Sequence, residues 1–166
     1  MADVYAFLEL EGIEGEAQDS KYQGKIALQS FSWGATNNSS YTSGTGSGIG
    51  KGQIHDISLS KFMCKASTEL MKRVVNGKPI TNGKLSLLKL AGDDDGSKLD
   101  YFTVDMKDIV LTSYQVAASG AAQLPMESFT LHFVTVKPNY KGQANEGSEQ
   151  GNFGFGWDLQ KNVEVA

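Results

Sequence analysis

One stretch, Ser67 to Gly77, repeats its apolar residues at the spacing of a helix lying on a core, and the segments around it alternate like strands. Leu70, Met71, Val74 and Val75 fall on one face, with Glu69, Lys72, Arg73 and Asn76 on the other. Ser67 is expected at the N-cap, where its hydroxyl accepts a hydrogen bond from a first-turn amide. Glu69 lies near the positive end of the helix and is placed to pair with Arg73 one turn on. Gly77 supplies the left-handed residue that closes the helix, and Pro79 prevents its restarting. One amphipathic helix needs an apolar partner, and here only strands are available. The expectation is a mainly β single domain over residues 1–166, a β-barrel or sandwich with one short α-helix at about Ser67–Asn76.

A chain of 166 residues can bury its own core without metal or disulfide support. Its 19 glycines fit many turns between short strands. The net charge of −4, with no basic stripe, argues against nucleic acid as a partner. Neither a basic segment followed by an apolar run nor a stretch near the roughly 20 apolar residues of a membrane span occurs. The expectation is synthesis as a soluble cytoplasmic protein without a signal peptide, and no membrane insertion. Cys64 is the single cysteine, so no internal disulfide can form, and it reads as a small buried filler beside Lys65.

Strands are expected at Val4–Leu10, Lys25–Trp33, Gln53–Lys61, Leu85–Leu90, Leu99–Asp105, Asp108–Val116 and Met126–Val136. The last is the clearest, with Phe129, Leu131 and Phe133 on one face and Thr130 and His132 on the other. In Lys25–Trp33 the apolar face switches near Gln29, from Ile26 and Leu28 to Phe31 and Trp33, which predicts a bulge or a bend toward a contact surface. The polar segment Glu11–Gly24 reads as a loop. Phe153, Phe155 and Trp157 are expected to anchor a terminal strand.

Residues 34–52 break every pattern. Gly44, Gly46, Gly48, Gly50 and Gly52 alternate with Thr45, Ser47, Ile49 and Lys51. This is no phosphate loop, because Gly50-Lys51 is followed by Gly52 where serine or threonine is required. A loop of this length is usually functional, and an arm for a partner surface is the better reading. Asp93-Asp94-Asp95-Gly96 lacks the register of a calcium loop and reads as a hairpin turn at Asp95-Gly96. His55 and His132 have no ligand-spaced companion in sequence, and no nucleophile elbow or zinc motif is present. No catalytic residue, metal site or cofactor is expected.

In order along the chain come Gly12-Ile13-Glu14-Gly15-Glu16 with Asp19, then Ser30-Phe31-Ser32-Trp33-Gly34, the glycine-rich arm, and Lys65-Ala66-Ser67. Glu127 before Phe129-Thr130-Leu131, Tyr140 with Gln143, and Gly156-Trp157-Asp158 with Asn162 follow. Taken together they resemble the haemolysin-coregulated (Hcp) proteins, which form the inner tube of the bacterial type VI secretion system. The chain departs from that pattern at Ala17, Tyr22, Cys64 and Thr68, where serine, histidine, aspartate and proline are usual.

The resemblance implies six-membered rings stacked into a hollow tube. It also implies the system's sheath, spike and baseplate proteins as partners, effector proteins in the lumen, and export through the apparatus itself. Residues 34–52 are then expected to reach from ring to ring, with Thr42, Gly44, Gly46, Gly48, Gly50 and Lys51 in the stacking loop. Phe31 and Trp33 are expected at a subunit contact. The alternatives are an effector-binding carrier ring and an enzyme delivered as an effector. Only four residues follow Asn162, so the fused toxin domain that some relatives carry is not expected here.

Overall fold

The computed structural model describes residues 6–38, 50–90, 98–120, 124–143 and 149–166. Val4, the Asp93–Gly96 turn and four of the proposed stacking residues, Thr42, Gly44, Gly46 and Gly48, lie outside them. Twelve strands and one helix are formed by the described residues. They are β1 (Ala6–Leu10), β2 (Ile26–Ala27), β3 (Ser30–Ser32), β4 (Ala35–Asn37), β5 (Gly52–Ile54), β6 (Ile57–Phe62), α1 (Ser67–Asn76) and β7 (Ile80–Leu90), followed by β8 (Lys98–Ala117), β9 (Met126–Gln143), β10 (Glu149–Gly154), β11 (Gly156–Asp158) and β12 (Val163–Val165).

The long antiparallel pair β8–β9 is the spine. On one side β7 and then β1 add to β8; on the other, β6, β11 and β10 share the free edge of β9. The expected bend near Gln29 closes this sheet into a barrel. β2 pairs with β1, then the Leu28 N–H donates to the Ala6 carbonyl (3.0 Å) and the Gln29 N–H to the Ser60 carbonyl (2.8 Å). From there β3 pairs with β6. One length of chain thus hands over from one free edge to the other, and the apolar switch in the sequence marks the handover. Closure removes exposed edges that would otherwise template aggregation.

Leu8, Ile26, Ile57, Leu85, Val104, Ile109, Leu131 and Val136 are fully buried in the barrel, with Phe129 and Phe133 beside them. Outside it, Phe7 stacks on Tyr22 with ring centroids 4.8 Å apart, and Ala17 and Leu88 complete a small cluster under the Glu11–Gly24 loop. The outer face of β1 is covered at Phe7 and exposed at Glu9. Gly83 faces inward where a Cβ would come within 2.5 Å of Ile109 Cδ1, so a side chain there would displace the core.

Several boundaries differ from expectation. Leu99–Asp105 and Asp108–Val116 are one strand. Asp108 adopts φ 53°, yet the pairs on either side, Asn82↔Lys107 and Ile80↔Ile109, keep one register. Gln53–Lys61 is two strands parted at His55–Asp56, and Leu85–Leu90 begins five residues earlier, at Ile80. In the tail Trp157 packs on the core, but Phe153 and Phe155 are exposed and anchor nothing within the subunit.

α1 lies against β8 and rests on a stripe narrower than expected: Ala66, Leu70 and Val74 reach the core, while Met71 and Val75 face solvent. Gly77 takes φ 65° and its N–H bonds the Arg73 carbonyl, and Glu69 pairs with Arg73 at 3.1 Å. Ser67 is not the cap. Ala66 holds that position in a helical conformation, and its methyl group can make no side-chain cap bond; Ser67 is the first helical residue, its hydroxyl engaged by a buried polar cluster.

Candidate assembly surfaces

Residues 34–52 are not patternless at their base. β4 and β5 pair as an antiparallel ribbon outside the barrel sheet, in the register Ala35↔Ile54, Thr36↔Gln53, Asn37↔Gly52. Every ribbon residue but Ile54 is exposed, and the Asn37 amide donates to the Gly50 carbonyl (2.9 Å) just beyond the paired segment. Of the proposed stacking residues, Gly50 and Lys51 sit here, at the ribbon's outer end.

The root is tied down by Trp33, whose indole N–H donates to the His55 carbonyl (2.8 Å), while the His55 N–H donates to the Gly34 carbonyl (2.9 Å). His55 Nε2 lies 3.1 Å from the Thr36 hydroxyl. Below the ribbon is a cleft of about 470 Å³ between Gln53–Ile54 and the terminal turn, floored by Phe133 and Trp157.

Phe31 and Trp33, the expected subunit contacts, are half-buried by their own subunit: Phe31 packs near Phe102, and Trp33 sits edge-on to Phe133 at 6.2 Å. The exposed apolar residues lie elsewhere. Phe62 and Met126 are in register across β6 and β9, with Met63 and Leu124 beside them where the Met63 N–H bonds the Pro125 carbonyl. Farther along β9, Tyr140 pairs in register with Phe153 of β10, close to Phe155. Scattered apolar side chains are ordinary on a surface, but grouped ones mark contact sites.

The two histidines do not converge. His132 Nδ1 lies 2.8 Å from an oxygen of Asp56, an acid distant in sequence that the fold brings alongside. The nearby Thr112 hydroxyl donates to the same carboxylate (3.0 Å). Among the described residues no group of three or more His, Cys, Asp or Glu side chains is placed to hold a metal ion. Among the described residues no helix is long and apolar enough to cross a membrane.

Beneath α1 lies a cluster of buried polar side chains. Lys61 and Glu127 are an ion pair, 1% and 0% exposed. Glu127 also accepts hydrogen bonds from the Ser67 hydroxyl (2.8 Å) and the Tyr114 phenol, and the Lys61 ammonium donates to Ser67 (3.0 Å) and to the Cys64 sulfur (3.3 Å). Burial first, and then the adjacent carboxylate, push the Tyr114 phenol well above its ordinary range, so it stays protonated and donating. The sequence carried the signal: Lys61 shares the parity of Ile57 and Leu59, and Glu127 that of Phe129 and Leu131, so alternation points both charges inward. Cys64 is only half-buried, and its close cation is Lys61, not Lys65, which reaches Glu14.

The model for the family described as type VI secretion system effector, Hcp, matches residues 7–140. Protein hcp1 of Pseudomonas aeruginosa is 28% identical over 160 residues, covering 96% of this chain and 97% of the relative. A solved type six secretion system protein superposes with a TM-score of 0.88 at 28% identity, covering 96% of this chain and 98% of its own. Hcp1 from Salmonella typhimurium follows with a TM-score of 0.76 at 25% identity, covering 96% and 97%. A closed barrel with one helix and an exposed ribbon, matched along nearly its whole length, places this chain in the Hcp family, the tube subunits of type VI secretion, for which hexameric ring assembly is known.

Proposed function

We propose that the chain is a wall unit that closes into hexamers by lateral contact and joins ring to ring through the β4–β5 arm, with Thr42, Gly44, Gly46, Gly48, Gly50 and Lys51 at its contact end. The observation that carries this reading is the ribbon itself. It is built outside the barrel sheet, exposed on both strands but for Ile54, and rooted through Trp33 and His55. A segment that adds only Ile54 to its own core finds its buried surface in another subunit. Ring closure by rotation needs two different patches that meet, and the Phe62–Met126 and Tyr140–Phe153 groups supply two at separate places on β9. Trp33 serves this role through the ribbon root it supports, and Phe31 lies in the strand that leads into it.

Replacing 39–49 with a tight Asn-Gly turn keeps the ribbon register and tests the arm. Hexamers by light scattering, with no stacked tubes in negative-stain micrographs, are expected. Tubes that still form overturn the arm's role.

On this reading the protein works by packing against copies of itself, without a reaction of its own. It is made in the bacterial cytoplasm and leaves through the apparatus, in the company of the sheath, spike and baseplate. The family description calls Hcp itself an effector, which supports export of the chain; a second role as a carrier of small effector proteins in the ring lumen is the alternative reading. Capture of a toxin by isolated rings tests that role separately.

A further inference from the structure

We propose that Lys61 Nζ and Cys64 Sγ become joined as a sulfenamide when hydrogen peroxide reaches the thiol. The inference does not rest on ring assembly. Four observations carry it. Nζ lies 3.3 Å from Sγ, along a hydrogen bond that sets the two atoms facing each other. Only two residues separate Lys61 from Cys64, so the ring that closes is small and already folded. Cys64 is half-buried and open to a small oxidant, whereas Lys61 is 1% exposed, so the amine competes with little water. Glu127, in contact with the same ammonium, is the base that frees it.

The chemistry balances with one oxidant. Peroxide transfers one oxygen to Cys64 as its O–O bond breaks, giving a sulfenic acid and one water. The Lys61 ammonium passes a proton to the Glu127 carboxylate and becomes a nucleophile. Its lone pair attacks sulfur, the S–O bond breaks, and the departing hydroxyl leaves as water with a second proton from nitrogen. The product holds a neutral S–N bond beside a neutral Glu127, so no charge is left buried alone. Condensation of a sulfenic acid with nitrogen is the known alternative to overoxidation, and with a single cysteine in the chain no internal disulfide competes. The bond ties the end of β6 to the approach to α1 and keeps Cys64 from irreversible oxidation once the protein is outside the reducing cytoplasm.

The test uses the full chain treated with an excess of peroxide, enough for more than one oxidation at the thiol, and read by mass spectrometry. A loss of about 2 Da is expected, with tryptic cleavage blocked after Lys61 and both changes reversed by a thiol reductant. Lys61→Arg keeps a cation opposite Glu127 but offers no nucleophilic amine, so it should instead gain about 32 Da as the sulfinic acid. Wild-type protein that gains about 32 Da while cleavage after Lys61 proceeds overturns the proposal, whether or not the variant folds. A gain of about 14 Da, leaving an oxygen between nitrogen and sulfur, overturns the direct bond.

Discussion

Replacing Glu127 with glutamine tests how the barrel end holds its helix. The side chain keeps its size, but the Lys61 ammonium, 1% exposed, loses its counter-charge, and the Tyr114 and Ser67 hydroxyls must share one amide oxygen. Breaking a buried pair from one side costs about 3–5 kcal/mol, because the remaining charge has no counter-charge and little water, and keeps only neutral hydrogen-bond partners such as Ser67. For a domain of this size each kcal/mol lowers the melting temperature by about 2–4 °C, so Glu127→Gln should melt about 6–20 °C earlier. Lys61→Met should be similarly costly. The double variant should cost several kcal/mol less than the sum, since it strands neither charge. Urea unfolding at one fixed protein concentration is the assay, because assembly stabilises the folded state by mass action. If Glu127→Gln costs under about 1 kcal/mol, or the two effects simply add, the buried charges are not coupled as argued.

Two other predictions concern the root of the arm and the alkaline limit of stability. Trp33→Phe removes the N–H bonded to the His55 carbonyl but keeps an aromatic ring against Phe133, so it should cost about 0.5–1.5 kcal/mol and speed amide exchange in β4 and β5. Exchange that quickens evenly over the whole barrel would refute a local tether. The folded state holds the Tyr114 proton more tightly than the unfolded chain, where the phenol titrates at its ordinary 10.0. Its contribution is therefore intact below pH 10 and lost as pH rises through the higher folded value, so Tyr114→Phe should make the alkaline fall in urea midpoint shallower. An unchanged slope would refute the assignment.

Much of the fold was legible in the sequence because strand alternation and helix periodicity are strong signals where one face is buried. Phe129, Leu131 and Phe133 read correctly for that reason, and Gly77 because only a left-handed residue ends α1 this way. The apolar switch at Gln29 carried the barrel closure, although a bend in sequence does not say which two edges it joins. Ser67 misled because a serine before an apolar stripe has the signature of a cap; its hydroxyl went instead to Glu127, sixty residues away. The same distance hid the pairing of Asp56 with His132 and of Lys61 with Glu127. Phe153 and Phe155 misled in the opposite sense, since apolar residues left at the surface look in sequence like core. The base of the arm escaped because Ala35–Asn37 and Gly52–Ile54 are short, polar and exposed on both faces, and give no alternation to read.

Barrel closure has a mechanical corollary. β3 ends and β6 begins at the same place, Ser32↔Ser58, and the ribbon grows out of that junction. Tension applied to the ribbon therefore enters both strands lengthwise, and β6 passes it to β9 through the continuous run from Ile57↔Leu131 to Phe62↔Met126. Bonds loaded in that direction share the force and must yield together, where a peeling load would break them one by one. The joint is built to be pulled.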